Sequence, residues 1–251
     1  MQKELKMCSL FSGIGGLELG LESAVPGLKT CWQVEQNDFC RQVLKKHWPH
    51  AERFTDVRTV ELEDIRGADV LCGGFPCQDI SALNQAGAGL AGARSGLWWQ
   101  MHRLISLALP RVVVAENVPA LASRGLSEVL CALARCGYTC EWDTISAAAV
   151  GALHRRNRIF IIGYRDTTNP QRSGLEKRQG PEAQRTLAPI AGSDGRPIEP
   201  GVCPVIDGVP RGMARYRKQA LMALGNAVVP QVAYQVGLRV NEILNENFTS
   251  V

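Results

Sequence analysis

Five short apolar runs, near residues 5–10, 30–34, 68–72, 111–115 and 158–163, alternate with stretches whose apolar residues recur at helical spacing, notably Leu17–Ser23, Phe39–Trp48, Leu97–Ala108 and Leu126–Cys136. Strands apolar along their whole length are buried on both faces, and the intervening helices supply the cover. The pattern predicts an α/β fold built on a doubly wound, mainly parallel sheet. Near the carboxyl end, Val232, Val236, Val240, Ile243 and Leu244 make one apolar stripe, the mark of a terminal helix returning to the same domain. A chain of 251 residues suits one such domain with a small appended lobe. No run of 18 apolar residues and no signal-peptide pattern is present, so a soluble, cytoplasmic protein is expected. Nine cysteines without a Cys-x-x-Cys pair, and four histidines without ligand spacing, point to reduced thiols and no metal.

In a sheet of this kind, functional groups gather in the crevice at the carboxyl ends of the strands. The first run continues into Phe11-Ser12-Gly13-Ile14-Gly15-Gly16-Leu17 and then a helical stretch. Such glycines allow a tight strand-to-helix turn and close approach of a dinucleotide-like ligand, although many ordinary turns share the pattern. The second run ends at Glu35, at the spacing where an acid accepts hydrogen bonds from ribose hydroxyls. Asp56-Val57 ends the next segment, where the acid either meets an adenine amino group or caps a helix.

The third run leads into Gly73-Gly74-Phe75-Pro76-Cys77-Gln78. A thiol with its free pKa of about 8.5 is only a few per cent thiolate at neutral pH, so a nucleophilic Cys77 needs a site that favours the anion. A structural cysteine in a glycine-rich turn is the alternative. Glu116-Asn117-Val118 follows the fourth run and would bring a carboxyl group to the same crevice, unless it simply opposes a helix dipole. His154-Arg155-Arg156-Asn157-Arg158 stands directly ahead of the fifth run, a density of arginine that suits anion recognition or charge stabilisation.

Taken in order, the glycine-rich turn, Gly-Phe-Pro-Cys-Gln, Arg94-Ser95-Gly96-Leu97, Glu-Asn-Val, the Arg-Arg-Asn-Arg cluster and Leu224-Gly225-Asn226-Ala227-Val228-Val229-Pro230 resemble the cytosine-5 DNA methyltransferase family, across about residues 7 to 235. The resemblance implies a fold of the S-adenosylmethionine-dependent methyltransferase type and a covalent mechanism. Cys77 would attack carbon 6 of a flipped cytosine, Glu116 would engage ring nitrogen 3, and Arg158, aided by Arg156, would stabilise the base oxygen and the carboxylate. It also implies that S-adenosylmethionine lies over Phe11, Gly13, Ile14, Gly15, Gly16 and Leu17. Glu35 would hold the ribose, Asp56 and Val57 the adenine, and Pro76, Leu97, Asn226, Ala227 and Val228 the rest of the cofactor pocket. Asn117, Gln78 and Ser81 would face the substrate, the last two on a mobile loop running to Ala93. The chain departs from many relatives in placing Gln36-Asn37 after Glu35.

The chain has 28 basic and 24 acidic residues, of which 10 and 6 fall within 165–218, so the whole formal charge of +4 sits there. By composition alone the segment suits a flexible linker; in a DNA enzyme it suits phosphate contacts. The resemblance divides the chain into a catalytic and cofactor domain (1–164), a short irregular target-recognition lobe (165–214) with Arg172, Lys177, Arg178 and Arg185 on the DNA, and a returning segment (215–251). Double-stranded DNA is the expected partner of a monomer, with a cognate restriction endonuclease as a candidate associate. An RNA cytosine-5 methyltransferase of the same fold, a non-catalytic DNA-binding relative and a dinucleotide oxidoreductase remain as alternatives. The first lacks its typical Cys-Phe-Thr here, and the other two leave the cysteine or arginine motifs unused.

Overall fold

A computed structural model describes residues 4–76, 96–152, 156–165, 219 and 222–246. Among these, seven strands form one sheet: β1 Leu5–Leu10, β2 Leu28–Val34, β3 Glu52–Phe54, β4 Val70–Gly74, β5 Val112–Asn117, β6 Thr139–Ser146 and β7 Asn157–Tyr164. Their spatial order is β3-β2-β1-β4-β5-β7-β6. β3 through β5 are parallel, whereas β7 runs antiparallel to both β5 and β6. The chain reverses its direction of travel across the sheet between β1 and β4, the place where open α/β sheets hold their ligands.

The longer helices among the described residues are α1 Gly16–Ala24, α2 Asp38–His47, α3 Gly96–Ala108, α4 Leu126–Arg135 and α5 Pro230–Glu246. Alternate strand residues feed two apolar layers. On one face Trp98, Met101, Leu104 and Ile105 of α3, with Val129 and Leu133 of α4, cover Leu10, Leu71, Val113 and Ile161. On the other, Leu17 and Leu21 of α1 and the α5 stripe Val232, Val236, Val240, Ile243 and Leu244 cover Met7, Val70, Val112, Val114 and Ile162. Each large aliphatic side chain withdrawn from water in this way contributes roughly 1.5–3 kcal/mol. α1 and α5 touch backbone to backbone. A methyl group at Gly20 would meet the Pro230 carbonyl at 2.5 Å, and one at Gly237 would meet Ala24 Cβ at 2.6 Å.

All five apolar runs are strands and the four helical stretches are helices, with boundaries moved by a residue or two at most positions. Two strands carry no apolar run. β3 is three residues at one edge, and β6 (Thr-Cys-Glu-Trp-Asp-Thr-Ile-Ser) is the half-exposed other edge. An edge strand meets a buried neighbour on one side only, so nothing demands a continuous apolar sequence. Among the described residues no helix is long and apolar enough to cross a membrane, and no three His, Cys, Asp or Glu side chains cluster as metal ligands. The expected lobe at 165–214 lies outside the described residues apart from Arg165.

Candidate active site

Beyond Leu10 the chain turns through Phe11, whose φ of +56° is left-handed. For a non-glycine residue this costs on the order of 1 kcal/mol or more, and it is a conformation that persists where the surroundings enforce it. The turn is fixed by Ser12 N donating to Val34 O (3.1 Å) and Gly15 N donating to Ser12 O (3.0 Å). Glu35, just past β2, grips it from the side: Oε2 accepts from Gly13 N and Oε1 from Asn37 N, both at 2.7 Å. At the start of α1 a side chain on Gly16 would strike the Val228 carbonyl, so residues 226–228 lie directly against the glycine-rich turn. Between these walls is a cleft, partly open to solvent. Phe11, Gly13, Gly16, Leu17, Glu116, Asn226, Ala227 and Val228 line it, together with Ser9, Leu10, Ser12, Glu18 and Gly74.

Glu116 stands near the end of β5, 9% exposed, with Oε1 2.8 Å from Arg158 Nε. The reversal of β7 creates this pair. In the antiparallel register Glu116 faces Phe160 and Asn117 faces Ile159, so the beginning of β7 lies beside the end of β5. Burial pushes the Glu116 carboxyl up to about 7, against the pull of Arg158 and then Arg156, leaving both protonation states populated at neutral pH. The carboxyl lies over the end of β4, where a methyl group on Gly74 would come within 2.6 Å of Oε2.

Asn117 is buried; its Nδ2 donates to Phe75 O (3.1 Å) and its Oδ1 accepts from Val118 N (2.8 Å). The Phe75 ring meets Trp98 at 5.1 Å between centroids. The dipeptide Phe75-Pro76 that leads to Cys77 is thus anchored to β5 and α3. Arg156 donates through Nη1 to the Gly225 carbonyl, tying the entry of β7 to the segment ahead of α5. Desolvation, then the neighbouring Arg158, lowers its pKa. Cys77, Gln78 and Ser81 lie outside the described residues, as do Arg172, Lys177, Arg178 and Arg185.

Other expected residues are not among those that line the cleft. Asp56 caps the turn Val57–Thr59, accepting from Arg58 N at 2.9 Å and pairing with Arg58 Nη1 at 3.3 Å, which is the capping alternative left open above. Val57 is buried in the core and its carbonyl accepts from Arg103 Nη2 at 3.1 Å. Leu97 packs on the α3 side of the core. Ile14, Gly15, Pro76, Asn117, Arg156 and Arg158 flank or support the lining without forming it. Sequence reasoning passed over Ser9, Ser12, Glu18 and Gly74. Glu18 had a signal: it stands three residues before Leu21, on the helix face that must be buried.

A family model described as C-5 cytosine-specific DNA methylase matches residues 5–195. The chain is 32% identical over 184 residues to the type II methyltransferase M.Sau3AI of Staphylococcus aureus, covering 66% of this chain and 45% of that protein. It is 34% identical over 168 residues to M2.BsuMI of Bacillus subtilis, covering 63% and 41%. Among solved structures, a putative DNA modification methyltransferase encoded within a prophage (E. coli) superimposes with a TM-score of 0.55 at 26% identity, over 66% of this chain and 48% of that one. Spodoptera frugiperda DNMT2 shares the fold at 18% identity, with a TM-score of 0.57 over 70% and 54%. The chain spans about half the length of these relatives. Since the matched residues take in every strand of the sheet and all of the cleft except the 226–228 wall, the chain belongs to the C-5 cytosine-specific DNA methylase family.

Proposed function

We propose that the protein is a DNA (cytosine-5)-methyltransferase, moving a methyl group from S-adenosylmethionine to carbon 5 of a cytosine flipped out of duplex DNA. The observation that carries this is Glu116: a carboxyl group buried at a strand end, held by Arg158, and poised near neutrality to give or keep a proton. A general acid at pH 7 works best with its pKa near 7.

The cleft fits the cofactor. A glycine-rich turn with close backbone walls, an acid closing the end of β2, and a buried acid on α1 suit an adenosyl group with a cationic tail. Phe11, Gly13, Gly16 and Leu17 would lie under it, Glu35 would meet the ribose, and Asn226 to Val228 would close the far side. When bound, S-adenosylmethionine supplies an electrophilic methyl group.

The chain's own residues do the rest. The Cys77 thiolate forms a bond to carbon 6 of the cytosine, which pushes electron density into the ring toward nitrogen 3. Glu116 delivers its proton there, and Arg158 offsets the charge on the base oxygen. Carbon 5, now nucleophilic, takes the methyl group. Loss of the carbon 5 proton to a base then breaks the sulfur–carbon bond and returns the thiolate, and nitrogen 3 gives its proton back to Glu116. Extruding the base costs a few kcal/mol, which contacts in the pocket offset. Residues 165–214 act as the target-recognition lobe on double-stranded DNA, and, since its relatives are named type II methyltransferases, a cognate endonuclease is the natural associate.

The test is a duplex carrying 5-fluorocytosine at the target. Fluorine cannot leave as a proton, so wild-type protein with S-adenosylmethionine should form a complex that survives denaturation, and Cys77→Ser should form none and show no turnover. Absence of the trapped species with wild type, or its formation on RNA alone, overturns the proposal.

A further inference from the structure

The cleft contains a second buried acid that the chemistry at Glu116 leaves unused. Glu18, in the first turn of α1, is fully buried, yet it lines the same cleft as Glu116 and Asn226. Neither carboxylate oxygen has a well-formed hydrogen bond among the described residues. Beside it, Ser12 Oγ lies 3.1 Å from Ser9 O and 3.0 Å from Ser9 Oγ, so the two hydroxyls make a polar floor at the end of β1. Burial pushes Glu18 up to about 7; the Ser9 hydroxyl, its own backbone N–H and the Ser12 hydroxyl hold it down in part, and Glu22 adds to the rise. The ionisable groups that bear on it, Glu22 on α1, Cys8 on β1 and Cys72 on β4, bring no positive charge.

A buried carboxylate with lone pairs to spare and no counter-ion among the described residues is a costly feature to keep in the wall of a cleft. Its natural complement is a group that is both cationic and a hydrogen-bond donor. Of the cofactor's two cationic centres, the sulfonium has no N–H or O–H to give, whereas the ammonium of the amino-acid end has three donors. We propose that Glu18, with the Ser9 and Ser12 hydroxyls, is the acceptor for that ammonium, fixing the amino-acid end of S-adenosylmethionine in the cleft. The assignment rests on the cofactor reading above and adds a residue to it.

Calorimetric titration with S-adenosylhomocysteine and with its desamino analogue, which keeps the carboxylate but lacks the ammonium, separates the possibilities. At pH 8, Glu18→Gln should weaken S-adenosylhomocysteine about 10- to 100-fold, the loss of a charge-assisted hydrogen-bonded pair, while the analogue changes by less than about threefold. Equal losses for both ligands would make Glu18 merely structural and overturn the proposal, as would unchanged binding of S-adenosylhomocysteine. If wild-type protein binds neither ligand, the cofactor reading itself fails and this inference falls with it. A measurement on wild type alone guards against a misfolded variant. The preference for S-adenosylhomocysteine over the analogue should grow as pH rises from 5.5 to 8 and Glu18 ionises; a flat ratio overturns the assignment.

Discussion

Glu116 is held between two opposing influences, burial that favours its neutral form and Arg158 that favours its anion, and the balance near 7 has a kinetic signature. If the neutral carboxyl is the working form, kcat/KM for methylation declines as pH rises through about 7. In Glu116→Gln that limb should vanish and the rate should fall by about 10²–10⁴, the usual worth of a general acid. Binding of S-adenosylhomocysteine should stay within about twofold, because the lost proton matters in the transition state and not in the ground state. Glu18 yields a stability prediction of definite sign. Its folded-state pKa of about 7 exceeds the ordinary 4.5, so the folded chain holds this proton more tightly than the unfolded one. Stability therefore falls as pH climbs from about 4.5 through 7, and above that window the bare charge costs on the order of 3 kcal/mol. Thermal melts without ligand should show Glu18→Gln more stable than wild type at pH 8 and little different at pH 5. Glu35 and Glu116 could be found in the sequence because each ends an apolar run. Glu18 escaped because a charged residue in an amphipathic helix is ordinarily taken to point outward, and only its offset from Leu21 contradicts that.

At the scale of elements, the direction of β7 decides whether the arginine cluster reaches the site. Ahead of a parallel strand, Arg156 and Arg158 would sit at the opposite end of the sheet from Glu116. The antiparallel register with β5 brings them to the same end. Sequence alone placed the run at 158–163 but carried no direction, since direction follows from pairing with β6, an edge strand with no continuous apolar run of its own. Asp56 shows a different case: of the two local readings the sequence offered, the cap on a helical turn is visible directly. The α1–α5 contact gives a test of how the 226–228 wall is held. A valine at Gly237 would drive its side chain into Ala24, already 2.6 Å from a bare methyl position, and overpacking of this kind costs about 1–3 kcal/mol. Gly237→Val should lower the melting temperature and weaken S-adenosylhomocysteine together, because α5 carries the wall. Leu238→Ala, on the exposed side of the same helix at 37% exposure, should alter neither.

For the whole molecule, the charge distribution matters more than its total. All of the net +4 falls in 165–218, which takes in the segment proposed to meet the DNA. Binding to duplex should therefore weaken steeply with salt, and single replacements of Arg172, Lys177, Arg178 or Arg185 by Ala should each reduce the log–log salt slope by about 1 where the residue meets a phosphate. Fluorescence anisotropy across a salt series measures this directly; a flat response would remove the segment from the DNA. A segment this short offers few base-edge contacts, so methylation mapping should return a site of about two to four specified base pairs. Composition revealed the location of this charge, whereas the segment has no periodicity from which an arrangement could be read. The packing of α1 against α5 also has a bearing on the order of events at the ribosome. The first helix of the cleft emerges with Leu17 and Leu21 uncovered, and the helix that shields them is translated some 200 residues later, a delay of about 10–40 s at ordinary elongation rates. Until then the nascent chain has only one side of the cleft, so a ligand that needs both walls is not held before α5 is made.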